Sequence, residues 1–240
     1  MIGIAAQAAD VKVLSAFPMR AVMEDLEPKF ERASGHKLAI TFGNLGAIVK
    51  RVQGGETPDV VIIPRRGIDG LLIDGKATAG NVTDIARAGV GVAVRKGAPK
   101  PDISSPEALK RALLAAKSIT YANPAAGGTS GVHFAKVLDR LGIADEMKSK
   151  TVFPKSGAAE VLVENGEAEI AVNHLVQFAP FAGIEVVGPL PGDLQGFDVY
   201  TAAILAGAGD TEAPKALVNF LRTPEAAAVI RAKGMESVTP

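Results

Sequence analysis

The chain has 240 residues with no Cys and no Trp, and its 26 Lys and Arg balance its 26 Asp and Glu. This composition excludes disulfides, thiolate metal sites and cysteine nucleophiles, and the balanced charge excludes the basic field typical of nucleic-acid-binding proteins. Three His residues without paired spacing predict no metal site, and no segment is apolar over a membrane-spanning length.

Strands and helices alternate along the chain, which predicts an α/β fold built from mostly parallel sheets with helices on both faces. The predicted strands are 11–15, 38–42, 59–63, 90–94, 118–121, 168–172, 184–187 and 197–205. The predicted helices are 20–34, 45–53, 67–74, 106–116, 132–141, 158–165, 213–221 and 224–233.

Two glycine-containing breaks, at 87–91 and 195–197, are natural crossing points between two lobes. We therefore predict one discontinuous lobe from residues 10–88 and 198–240, and a second lobe from residues 89–197, with the two crossing segments acting as a hinge. Residues 1–9 are similar to the end of a secretory signal, with Ala6-Gln7-Ala8 as a small-residue cleavage site. An exported, periplasmic protein is expected.

Parallel sheets bind ligands where strands end and helices begin, and three such junctions in the first lobe carry polar or cationic groups. Arg20 lies in the first turn of a helix, where a cation opposes the helix dipole and an anionic ligand would offset the conflict. Each position also has a simpler interpretation, since Arg20 could face solvent, Asn44 could cap its helix and one of the paired arginines could face water. The candidates are Ser15, Met19, Arg20, Asn44, Leu45, Arg65 and Arg66.

A glycine-rich loop, 122–134, follows the short strand ending at Tyr121 and leads into a helix. Its backbone N–H groups would lie at the positive end of the helix dipole, which favours an anion. From this loop alone a helix cap by Thr129 or Ser130 is the favoured interpretation, and Gly128 would provide freedom for the turn. His174 follows another strand end and could either contact an anion or form a structural hydrogen bond.

The chain resembles the molybdate-binding-protein-like branch of the type 2 periplasmic solute-binding proteins. The similar segments are Val-Leu-Ser-Ala at 13–16, Thr-Pro-Asp-Val-Val-Ile-Ile at 57–63, Asn-Pro-Ala-Ala-Gly-Gly-Thr-Ser-Gly at 123–131, Asn-Gly-Glu-Ala-Glu-Ile-Ala at 165–171 and Thr-Pro-Glu-Ala-Ala-Ala at 223–228. The resemblance implies a two-lobed, hinged fold that closes on a small anion and delivers it to an ABC-type importer, acting as a monomer without a cofactor.

Four positions depart from what the resemblance implies for a molybdate site, which is a neutral cage of hydroxyls and backbone N–H groups. Pro18 and Arg20 stand where members of the branch have a hydroxyl, and Asn44 and its neighbours stand where they have serines. Arg65 and Arg66 stand where the branch has small, neutral residues, and His174 stands in place of a tyrosine. Arginine binds carboxylates through a two-pronged fork, so these departures favour an organic carboxylate.

Three hypotheses remain open at this point. The first is a non-catalytic binding protein for an organic di- or tricarboxylate. The second, because an aconitate isomerase is also similar to this branch, is an isomerase that shifts a double bond by proton transfer with His174 as base and the arginines stabilising the charge. The third is a molybdate or tungstate binder. The spacing of Gly127-Gly-Thr-Ser-Gly131 fits neither a P-loop nor a dinucleotide fingerprint.

Overall fold

A computed structural model describes residues 9–154, 158–208 and 212–238. Residues 1–8 of the predicted signal remnant lie outside this range. The strands are β1 (Asp10–Ala16), β2 (Lys37–Gly43), β3 (Val60–Pro64), β4 (Ala77–Arg95), β5 (Ile119–Tyr121), β6 (Ile170–His174), β7 (Ile184–Pro189), β8 (Phe197–Leu205) and β9 (Glu236–Ser237). The helices are α1 (Arg20–Ser34), α2 (Leu45–Gln53), α3 (Arg65–Ile73), α4 (Pro106–Ala115), α5 (Thr129–Arg140), α6 (Ala144–Lys148), α7 (Glu160–Glu164), α8 (Glu212–Phe220) and α9 (Pro224–Ala232).

Most predicted elements are confirmed to within three residues, because their ends carry strong local signals. Gly35 ends α1 with φ 76°, a left-handed conformation that glycine adopts without strain. Ser105 and Thr223 cap α4 and α9 through their side chains, and each of these helices begins with a proline.

The largest difference concerns β4, which was predicted only over 90–94 but runs from Ala77 to Arg95. Of its first nine residues only Ala77 and Ile85 are buried, so this half lacks the apolar alternation by which a strand is predicted. The helix after the glycine-rich loop begins at Thr129, three residues earlier than predicted, and the short helix α6 was not predicted.

The chain divides into two compact units, which we call unit 1 (Met1–Ala86 and Val199–Pro240) and unit 2 (Arg87–Asp198). In unit 1 the strand order is β2-β1-β3-β8. The strands β1, β2 and β3 are parallel, and β8 runs antiparallel to β3. All five residues of β3 are buried, as expected for a strand with neighbours on both sides and covered faces.

Unit 2 differs from the predicted mostly parallel sheet. The strands β6 and β7 both run antiparallel to β4, whereas β5 and β6 are parallel to each other. The reason is that β4 carries the chain in from unit 1, whereas β6 and β7 return in the opposite direction. Two apolar clusters fill this unit. The larger has Val92, Leu113, Ile119, Phe134 and Met147 among its most deeply buried members, and the smaller includes Val163 and Phe178.

Within the described ranges, no helix is both long enough and apolar enough to cross a membrane. In the same ranges, no three His, Cys, Asp or Glu side chains are grouped closely enough to hold a metal ion.

Candidate functional site

The helices of the molecule fall into two groups according to the charge of their first turn. The five helices α4, α6, α7, α8 and α9 each have an acidic residue there, which is the usual preference because it complements the helix dipole. The four helices α1, α2, α3 and α5 have none. These four follow the carboxyl ends of β1, β2, β3 and β5, where open α/β sheets bind their ligands.

In unit 1, Ser15 lies near the end of β1 between Phe42 of β2 and Ile62 of β3. Its hydroxyl is fully buried and has no hydrogen-bond partner among the described residues. Met19, another candidate from the sequence, ends the short 3-10 turn before α1, and its side chain is completely buried.

Arg20 is the first residue of α1, and about half of its side chain is exposed. Its guanidinium carbon lies 4.5 Å from the ring centroid of Phe42 and 5.5 Å from that of Phe17. The nearest carboxylate oxygen, on Glu24, is 3.7 Å from Nη1, which is a loose ion pair. The aromatic faces therefore orient this cation, while most of its N–H donors stay available.

Arg65 and Arg66 begin α3, and their surroundings differ. Arg65 donates from Nε to Asp69 at 2.9 Å and from Nη1 to Asp84 at 3.2 Å, and Asp84 also accepts from Thr201 at 2.6 Å. The charge of Arg65 is thus largely balanced inside unit 1, and the hydrogen bond to Asp69 is the first cause of its raised pKa. Arg66 is exposed and forms no ion pair with any described residue.

At the start of α2 the simpler interpretation of Asn44 is confirmed. Its Oδ1 accepts a hydrogen bond of 2.8 Å from the backbone N–H of Ala47, so it is the helix cap. Leu45 packs closely on α3, because a Cβ added at Gly67 would lie 2.4 Å from Leu45 Cδ1. Leu45 therefore positions the two helix ends relative to each other inside unit 1.

In unit 2 the expected cap of α5 is wrong. Gly128 is the cap residue, and no side chain accepts a hydrogen bond from the first turn. The side chains of Thr129 and Ser130 are buried instead, at 8% and 2% exposure. The first amides of this 12-residue helix therefore lack the usual side-chain acceptor, which leaves them suited to an anion.

The side chain of Ser130 starts a buried chain of polar groups. Ser130 Oγ donates to Asn173 Oδ1 at 2.6 Å, and Asn173 Nδ2 donates to Glu160 Oε1 at 2.5 Å. The backbone N–H of His174 also donates to Asn173 Oδ1, at 2.9 Å. Glu160 is 1% exposed, and Asn173 is 4% exposed. The groups fix one another's orientation because each has few alternatives in a site without bulk water.

His174 is buried, with 1% of its surface exposed. Its Nε2 lies 3.0 Å from Asp198 Oδ2, and its Nδ1 lies 3.3 Å from Gln177 Oε1. Both ring nitrogens therefore have partners within unit 2. This matches the alternative in which His174 forms a structural hydrogen bond. A carboxylate against one imidazole nitrogen also holds the ring in a fixed orientation.

Burial is the first cause of a raised pKa at Glu160, and the hydrogen bond from Asn173 and the nearby His174 act in the opposite direction. A carboxyl whose pKa is raised by folding binds its proton more tightly in the folded state than in the unfolded state. Its contribution to stability is therefore complete below the ordinary pKa of 4.5. That contribution is lost as the pH rises through the pKa of the folded state. Glu160→Gln should therefore stabilise the protein at pH 8 and do so progressively less toward pH 4. Thermal unfolding at several pH values tests this.

Glu146→Gln, at an exposed side chain in the same unit, is the matched control and should show no such pH-dependent gain. A Glu160→Gln variant that is less stable than the parent at pH 8 would show that the ionised carboxylate is stabilised in the fold, contrary to the expectation.

Four residues of these networks were not identified from the sequence: Asn173, Glu160, Gln177 and Asp198. Asn173 directly precedes His174 at the end of β6, and a polar residue in an otherwise apolar strand was a usable signal. Glu160 reads in the sequence as an ordinary acidic residue at a helix start, and Asp198 reads as a polar residue in an extended segment. Their roles depend on contacts 13 and 24 residues distant, which no local pattern shows.

Comparison with known proteins agrees with this architecture over almost its whole length. The chain is 30% identical over 232 residues to an aconitate isomerase from a Pseudomonas species, a match covering 94% of this chain and 87% of that protein. It is 32% identical over 240 residues to the molybdate-binding protein ModA of Azotobacter vinelandii, covering 98% and 92%.

Among solved structures, the periplasmic molybdate-binding protein of Azotobacter vinelandii superimposes with a TM-score of 0.78 at 22% identity, covering 96% of this chain and 99% of that one. The predicted class, a type 2 periplasmic-binding-protein-like α/β fold, is thereby confirmed. The family described as bacterial extracellular solute-binding protein matches residues 11–236. The chain belongs to this family of bacterial extracellular solute-binding proteins.

Proposed function

We propose that this protein binds a small organic di- or tricarboxylate in the periplasm and delivers it to an ABC-type importer. The observation that carries the proposal is the division of the helices by charge. Every α-helix that follows β1, β2, β3 or β5 begins without an acidic residue, whereas every other α-helix in the described ranges begins with one. A negatively charged ligand takes the place of the missing acid at such positions.

Arginine chemistry supports a carboxylate over a metal oxyanion. Arg20 stacks on Phe42 and keeps most of its donors available, and Arg66 has no ion pair with a described residue. A guanidinium donates two parallel hydrogen bonds to one carboxylate, and its charge departs from the neutral cage that the resemblance implies for a molybdate site. In this proposal Arg65 does less to balance the negative charge of the ligand, because Asp69 and Asp84 already balance its own positive charge.

Neutral polar groups complete the proposed set. In unit 2 these are the amides at the start of α5 together with Thr129 and Ser130, and in unit 1 Ser15 adds a buried hydroxyl without a partner among the described residues. The residues that we propose for ligand binding are Ser15, Arg20, Asn44, Arg66, Gly128, Thr129 and Ser130.

A thermal-shift panel of carboxylates and oxyanions tests the proposal directly. A ligand present at 100 times its Kd stabilises the folded state by about 2.7 kcal/mol. For a protein of this size, that corresponds to a rise in Tm of about 5–10 °C. We expect this rise with succinate, malate, citrate or a related carboxylate, and a smaller one with molybdate and tungstate. A larger rise with molybdate than with every carboxylate would overturn the assignment.

A second function, isomerisation of an aconitate-like polycarboxylate, is favoured by the 30% identity to an aconitate isomerase. A base would remove a proton from the carbon beside one carboxylate and a proton would return at the far end of the allylic system. Asp198 against Nε2 and Gln177 against Nδ1 would hold the buried His174 ring in one orientation for this step.

Proton NMR distinguishes the two functions. Incubation with cis- or trans-aconitate in D₂O would produce the other isomer and deuterium incorporation if the protein is an isomerase, and His174→Ala would abolish both. Binding without interconversion or exchange would exclude the isomerase function and leave the binding protein.

A further inference from the structure

The buried hydrogen-bond chain of Ser130, Asn173 and Glu160 determines where the proton of the Ser130 hydroxyl lies. The backbone N–H of His174 can only donate, so the Asn173 atom 2.9 Å from it is the carboxamide oxygen. Nδ2 is therefore the other atom, and it donates to Glu160 Oε1 at 2.5 Å. The amide is held at both ends, and its orientation is fixed.

Ser130 Oγ lies 2.6 Å from the same carboxamide oxygen. Two oxygens at this distance need a hydrogen between them, and an amide oxygen has none to give, so Ser130 is the donor. A serine hydroxyl has a single hydrogen. Since that hydrogen is used in the bond to Asn173, the remaining lone pairs of Oγ can only accept.

We propose that Ser130 is a hydrogen-bond acceptor for the ligand, and that it makes the protein selective for carboxylates that also carry an alcohol hydroxyl. This inference rests on the proposed function, in which the anion binds at the start of α5. The backbone amides there donate to carboxylate oxygens, and Ser130 accepts from the hydroxyl of the same molecule. A bare carboxylate or metal oxyanion offers only lone pairs to Ser130, and lone pairs facing each other repel.

The expected selectivity follows from the burial of the site. Ser130 is 2% exposed, so little water is available to satisfy its lone pairs when a ligand lacks a donor. Sites that hydrogen-bond a ligand hydroxyl discriminate against the analogue without it, because the buried polar group is then left unpaired. Asn173 and Glu160 act as positioning residues in this scheme, since they set the orientation of the serine without contacting the ligand.

Isothermal titration calorimetry with two matched ligand pairs tests the inference. Malate differs from succinate, and citrate from tricarballylate, by one hydroxyl. We expect the full chain to bind the hydroxylated member of at least one pair about tenfold more tightly. Ser130→Ala should bring this ratio close to one. Equal affinities within both pairs, or a preference that survives in Ser130→Ala, would overturn the inference.

Three further variants separate orientation from general damage to the fold. Thr120→Val removes another buried hydroxyl of unit 2, one without a hydrogen-bond partner among the described residues, and it should leave the ratio unchanged. Glu160→Leu removes the acceptor for Asn173 and should lower the ratio, whereas Glu160→Gln keeps an oxygen at that position and should restore it. A ratio lost equally in Thr120→Val would show a structural effect only and contradict the proposal.

The failure of the two proposals gives different results. If none of the four acids binds to the unmodified protein, the carboxylate function itself is wrong. If they bind with equal affinity inside each pair, the protein is a carboxylate binder and only the role of Ser130 is wrong.

Discussion

Gly131→Ala is expected to lower the free energy of unfolding by about 3 kcal/mol or more, the upper range for overpacking a buried position. A Cβ at this position would lie 1.6 Å from the carbonyl oxygen of Ala122 and 2.7 Å from its carbonyl carbon. Both are backbone atoms, so no rotamer change relieves the contact. Helix α5 would have to move away from the loop that follows β5.

Urea unfolding of the purified variant measures this loss. Gly70→Ala is the matched control, because Gly70 lies inside α3 and nothing stands within 4 Å of the Cβ it would gain. That substitution should raise stability by about 0.5–1 kcal/mol through helix propensity. An unfolding midpoint of Gly131→Ala equal to that of the parent would mean that the close approach of α5 to Ala122 is not required.

Arg20→Met is expected to weaken the binding of a dicarboxylate by about 10- to 100-fold, since it removes a charge-assisted hydrogen bond worth about 1.5–3 kcal/mol. Methionine keeps much of the apolar stem of arginine and removes the guanidinium that lies over Phe42. Arg20→Lys should recover only part of the affinity, because an ammonium group cannot form the two-pronged contact.

Calorimetric titration of the ligand found in the thermal-shift panel provides the measurement. Arg51→Met serves as the control for the loss of one positive charge from unit 1, because Arg51 is occupied by an exposed ion pair with Glu56 at 2.6 Å. Its effect on affinity should be less than twofold, as expected for a distant charge screened by salt. Comparable losses in both variants would indicate a general electrostatic effect and not a carboxylate contact at Arg20.

The sequence predicted the elements well where local chemistry is strong. Gly35 ends α1, Ser105 caps α4, and five successive buried residues mark β3, so each of these elements was placed within two residues. The first half of β4 has no such pattern, because few of its side chains are buried and its place in the fold is determined by tertiary context. The antiparallel return of β6 and β7 likewise depends on how the chain re-enters the sheet.

The candidate site was predicted less completely than the fold. Arg20 could be identified because a cation in the first helical turn conflicts with the dipole, and this signal is local. The partners of Arg65 lie 4 and 19 residues away, and those of Asn173 and His174 lie up to 43 residues away. Such distant partners decide whether a polar side chain is available to a ligand or already hydrogen-bonded within the fold. Local sequence spacing does not predict these partners.

The pairing of β3 with β8 has a consequence for the order in which the polypeptide can mature. The edge of β3 that pairs with β8 forms its hydrogen bonds only after residues 200–204 have been synthesised, about 140 residues later in the chain. Until then the apolar strand β3 has one edge whose backbone N–H and C=O groups lack their β8 partners. An unpaired edge of this kind promotes aggregation. Holdase chaperones would therefore be most useful to this polypeptide during elongation, before residue 204 has emerged.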